Sequence, residues 1–181
     1  MTQSVLVVVH PGSALGSATS NLGGFEARAA RDALAWELNH WEGPALIIHG
    51  ELSDELPLYP AMEQALDDLL WRNRQAGFVT EAVRGCDNEA HNQEDAIEQW
   101  VREQAWDPAT SFVVTGAWYH PEDGSGCVGS VIDKLKSLGY TATVGESPVE
   151  MLFEEEEEDD LDEDPEPEVE APKPRGPSPF R

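Results

Sequence analysis

SVLVVVH, residues 4–10, decides the fold. Five consecutive apolar residues, Val5 to Val9, most of them β-branched, leave no polar position for a solvated face. That is the pattern of a strand buried on both sides, as in a parallel sheet covered by helices, rather than the alternation of a half-exposed one. The run stops at His10 and passes into a loop, His10–Gly24, made mostly of Gly, Ser, Ala, Thr and Pro.

Moving outward, the same unit recurs. Phe25–Trp41 carries Ala30, Leu34, Trp36, Leu38 and Trp41 at amphipathic helix spacing, and Gly43–Pro44 stops it. Ala45–Ile48 is a second buried strand, ending at His49, and HGELSDELPLYP (49–60) is a long loop. Pro60–Gln75 is a helix closed by Gly77. Phe78–Val83 is the third strand, Gln93–Gln104 the third helix, Ser111–Tyr119 the fourth strand, Cys127–Leu138 the fourth helix and Tyr140–Val144 the fifth strand. Strictly alternating strands and helices predict a three-layer α/β/α domain. Its expected core is a doubly wound, Rossmann-like parallel sheet of five strands in the order 3-2-1-4-5.

Composition bounds what such a domain does. The 181 residues carry a formal net charge of −25, with 8 Lys/Arg against 23 Asp/Glu in residues 1–153 and 3 against 13 in residues 154–181. Nucleic-acid binding depends on cations that displace counterions, so direct binding to DNA or RNA is not expected, and a protein partner would be basic. EEEEEDDLDEDPEPEVE, from Glu154, is too charged to bury a core and is expected to be a disordered acidic tail beyond a domain of residues 1–153. The closing APKPRGPSPFR is proline-rich and mildly basic, with Pro179–Arg181 as a candidate docking anchor. No signal-peptide pattern or apolar run of roughly 18 residues is present, which points to the cytoplasm. Cys86 and Cys127, outside any short-spaced pair, read as reduced thiols.

The chemistry gathers where strands end. His10, His49 and His120 follow strands one, two and four, Cys86 and Asp87 follow strand three, and Cys127 opens the fourth helix after Gly124-Ser125-Gly126. In an open parallel sheet the C-terminal strand ends share one edge, which is where such folds place ligands. A thiol at a helix start sits beside unpaired N–H groups that favour the thiolate, so Cys127 reads as a nucleophile; as a small apolar side chain it would also pack the first helical turn. His10 would be its base if strands one and four are neighbours.

VVTGAWYHPEDGSGCVGSVIDKLKSLGYTATVGES, residues 113–147, resembles the nucleophile region of isochorismatase-like cysteine hydrolases: a strand ending in Gly, Cys-Val at a helix start, then Gly-Tyr and a last strand. The resemblance implies a divergent hydrolase acting on a small molecule through Cys127. The chain departs from the family at the first strand's end, where His10 replaces an acid. It also has no lysine before Lys134, and the distance from Gly116 to Cys127 is expanded.

Three other readings use the same rim or the surface. His10, His49, His120 and Cys127 or Cys86 are of the types that bind zinc, though without a short-spaced ligand pair, and Glu51 and Asp54 lie near His49. The loop HPGSALGSATSN (10–21) resembles the phosphate loop of flavodoxin-like FMN binders, with Trp118 and Tyr119 to cover a ring, but no Lys follows its glycines as in a Walker motif. An acidic interaction protein, binding a basic partner or imitating nucleic acid toward it, is the non-enzymatic reading. The sequence names no cofactor and no oligomeric state.

Overall fold

The computed structural model describes residues 4–11, 24–49, 60–84 and 93–150. The elements are β1 (Ser4–Val9), α1 (Gly24–His40), β2 (Ala45–His49), α2 (Pro60–Ala76), β3 (Thr80–Arg84), α3 (Gln93–Gln104), β4 (Ser111–Tyr119), α4 (Gly126–Ser137), β5 (Thr141–Val144) and β6 (Val149–Glu150). The sheet is parallel in the order β3-β2-β1-β4-β5, as its sequence pattern requires, and β6 adds a short parallel pairing to β4. Among the described residues no helix is long and apolar enough to cross a membrane.

β1 is the centre, in register with β2 (Val9 opposite Ile48) and with β4 (Val9 opposite Gly116). Its side chains divide between two cores because successive residues of a strand face opposite ways. Val5, Val7 and Val9 pack with Ile97, Trp100 and Val101 of α3 and Val128, Val131 and Leu135 of α4. Leu6 and Val8 pack with Leu34 and Leu38 of α1 and Met62, Ala65 and Leu69 of α2. A strand with no exposed side is thus the physical meaning of the apolar run at residues 5–9.

One boundary differs by two residues from the sequence reading, and one element is new. Phe78 and Val79 look like the start of β3 but are exposed and precede it; the Phe78 N–H instead donates to the Asn73 carbonyl and closes α2. β6 was not expected at all. Two residues are too few for a periodic signal, and its position is fixed from far away, by Glu37 of α1.

Candidate functional site

The strand order sets β2, β1 and β4 side by side, so His49, His10 and the β4–α4 turn lie along one sheet edge. His10 continues the ladder beyond β1, its N–H donating to the Ile48 carbonyl at 2.7 Å. Its φ is +45°, a left-handed conformation that non-glycine residues seldom adopt and that recurs at functional sites. The side chain is only 5% exposed, and its Nε2 has no hydrogen-bond partner among the described residues. Burial, with repulsion from His49 second, pushes its pKa from 6.5 to about 4. His10 is therefore a neutral imidazole at neutral pH, with one buried nitrogen unused.

His120 stands farther out. β4 is nine residues long and β1 six, and with Val9 opposite Gly116 the residue opposite His10 is Ala117. β4 continues past its last pair with β1 to Tyr119, and His120 follows that end. The chain then turns tightly: the His120 N–H donates to the Ser125 carbonyl at 3.1 Å and the Gly124 N–H to the His120 carbonyl at 2.8 Å. Asp123 Oδ1 accepts from the Ser125 N–H at 2.8 Å, and hydrogen bonds from Ser125, aided by the charge of His120, hold its carboxyl below the usual range.

This turn folds the start of α4 back onto the end of β4. A methyl group on Gly126 would lie 2.5 Å from the Trp118 carbonyl oxygen and 3.4 Å from the Tyr119 Cα, so glycine is what permits the approach. Cys127 follows in the first turn, half-buried, with part of its surface against the α3–α4 core. Ser125, at the N-cap, makes no side-chain capping bond and the first turn holds no acid, while the Asp123 carboxylate accepts from the N-cap N–H just before it. Ser130 Oγ donates to the Cys127 carbonyl at 3.0 Å and accepts from Gln93 Nε2 at 2.9 Å, tying the turn to α3. The Ala117–Trp118 peptide bond is cis.

The structure thus brings His10 close to His49, and His120 to the turn that carries Cys127, as two pairs on one edge. The His10 Nε2 does not reach Cys127, so the expected His10–Cys127 pair is not formed through that nitrogen. Among the described residues no three His, Cys, Asp or Glu side chains converge as a metal-ligand set. Trp118 packs with the α1–α2 core and Tyr119 with the α3–α4 core, on opposite faces, so the two form no common platform for a flavin ring. Lys134 is committed elsewhere, paired with Glu98 of α3 and two turns from the helix start. Glu51, Asp54, Cys86, Asp87, loop residues 12–23 and the expected boundary at Glu154 with its tail lie outside the described residues.

Sequence reasoning missed Asp123, Ser130 and Gln93 at the turn. Of these only Asp123 carries a local signal, as an Asx-turn residue two places before Ser125.

His10 makes the stability of the fold pH-dependent. Its folded pKa of about 4 lies below the unfolded 6.5, so the unfolded chain binds the extra proton between these values. The contribution is intact above pH 6.5 and is lost as pH falls toward 4, reaching roughly 3 kcal/mol. Urea unfolding of wild type and His10→Asn across this range measures it, asparagine being chosen because it tolerates positive φ. The stability difference should change with pH between 6.5 and 4, and parallel curves would contradict the buried neutral state.

No known protein family, curated protein or solved structure matches the chain, so the resemblance to isochorismatase-like hydrolases rests on residues 113–147 alone.

Proposed function

We propose that the chain is a divergent isochorismatase-like hydrolase that cleaves a small amide or ester at the C-terminal sheet edge, with Cys127 as nucleophile. The observation that supports this reading is the β4–α4 turn, which carries Cys127 in the first turn of α4 and ties the His120 backbone to Ser125 and Gly124 just before it.

In this reading each residue of the edge has a role. His120, with Asp123 near it, takes the thiol proton; the sulfur adds to the carbonyl carbon, and first-turn N–H groups hold the developing oxyanion. As the carbon–nitrogen or carbon–oxygen bond breaks, the leaving group takes the proton back from His120. Water then hydrolyses the thioester, releasing the acid and restoring the thiol. His10, too weakly basic to accept a thiol proton, serves as a neutral hydrogen-bonding group for the substrate. Lys134 is paired with Glu98 instead.

Iodoacetamide labelling of the full chain near pH 7, followed by peptide mapping, tests the nucleophile. Cys127 should react about tenfold faster than Cys86, and His120→Ala should reduce that preference. Equal rates for the two thiols would defeat the hydrolase reading. They would leave the alternative, an acidic interaction protein for a basic partner, which the exposed side chains of Trp36 and Trp71 favour.

A further inference from the structure

The face of the sheet opposite α3 and α4 is only partly covered. α1 lies over β1 and β4, and among the described residues no helix follows β5, so Val113 and Thr143 border an open cleft of about 380 Å³ beside the last turns of α1. Its other wall is aromatic: Trp36, His40 and Trp41. Trp36 is 54% exposed, yet its ring is held, stacked on His40 with centroids 4.1 Å apart, while His40 Nδ1 donates to the Trp36 carbonyl at 2.7 Å. Trp41 is fixed by its Nε1–H to the Pro44 carbonyl at 3.1 Å. A preset aromatic groove of this size is the kind of surface that takes a binding partner.

We propose that the occupant is the chain's own closing segment, Ala171–Arg181. Three observations single it out. APKPRGPSPFR has four prolines and a Phe, and proline-rich segments dock in aromatic-lined grooves because their backbone is already restricted. It carries Lys173, Arg175 and Arg181 and no acid, whereas the cleft belongs to a part of the chain with 23 Asp/Glu against 8 Lys/Arg and has exposed Glu146 on its lining. The same excess of acid opposes a second copy in that place, and opposes the intervening run Glu154–Glu170. Finally, the chain leaves the described part next to the cleft: Glu146 and Ser147 are anchored to Glu37 there, and β6 ends at Glu150. The twenty residues from Met151 to Glu170, at up to about 3.3 Å each, are long enough to return the segment to the cleft, and its covalent attachment raises its local concentration there.

Docking is tested by NMR of the Trp indole N–H groups in the full chain, with Trp36 assigned from a Trp36→Phe variant. A full-length variant carrying Lys173→Glu, Arg175→Glu, Phe180→Ala and Arg181→Glu should shift the Trp36 and Trp41 indole signals and leave the core residues Trp100 and Trp106 unmoved. Adding a synthetic peptide of residues 171–181 to that variant should restore them, with roughly tenfold weaker binding when Trp36 is Ala. Unchanged Trp36 and Trp41 signals would overturn the proposal. So would shifts that vanish on dilution, which would mean that the segment of another copy fills the cleft.

Discussion

Gly116→Ala should cost the fold on the order of 4 kcal/mol, lowering the melting temperature by roughly 10–15 °C or preventing recovery of soluble protein. Gly116 stands opposite Val9 where the two central strands meet, with φ +109°. A methyl group there would lie 2.6 Å from the Val9 nitrogen, and closer still to the Val9 carbonyl oxygen. Both obstacles are backbone atoms of a fully buried strand, so neither can rotate away as a side-chain tip would. Gly139→Ala supplies the comparison: φ is +91°, but nothing lies within 4 Å of an added methyl, so only the conformational strain of about 1 kcal/mol remains. Thermal melts followed by far-UV circular dichroism separate the two, and similar losses for both would show that strain, not collision, governs Gly116.

The same residue explains how far the sequence could be read. Val5–Val9 announces a strand without an exposed side, and alternation with helices then leaves few topologies, which is why the order of the five strands was legible. Depth along the edge was not. That His10 and His120 both end strands is visible in sequence, but the offset between them depends on Val9 facing Gly116, a register set by packing rather than by local composition. Cys127 at a helix start was visible, because glycines and a following apolar helical stripe mark it. Its neighbours Ser130 and Gln93 were not, because their bond joins two helices 37 residues apart in the chain. Glu37 was the least legible, an acid between Trp36 and Leu38 that reads as one more solvated position on an amphipathic helix.

Glu37→Ala should lower stability by about 3 kcal/mol, or roughly 6–12 °C in melting temperature, and should release the end of the sheet selectively. The carboxylate is 7% exposed and accepts three hydrogen bonds: from Thr115 Oγ1 at 2.8 Å, the Glu146 N–H at 2.9 Å and the Ser147 N–H at 3.1 Å. One helix side chain thus fixes both the middle of β4 and the turn that leads from β5 into β6. Truncation leaves the buried Thr115 hydroxyl without its acceptor and frees the two partly buried amides beside the cleft, and the cost of an unpaired buried donor exceeds the worth of the bond itself. Glu37→Gln, which keeps one carbonyl oxygen but turns an amide N–H₂ toward a donor, should fall between wild type and Ala. Hydrogen exchange gives the sharper readout, because the loss is local before it is global. Amides of Glu146 and Ser147 should lose protection well beyond those of β1 in Glu37→Ala, since both donate to the Glu37 carboxylate, whereas β6 beyond them is also held by Val149 in the α1–α2 core. Unchanged protection at those two amides would mean that the β5–β6 turn is held by something other than Glu37, and would remove the rigid floor on which the cleft beside Trp36 depends.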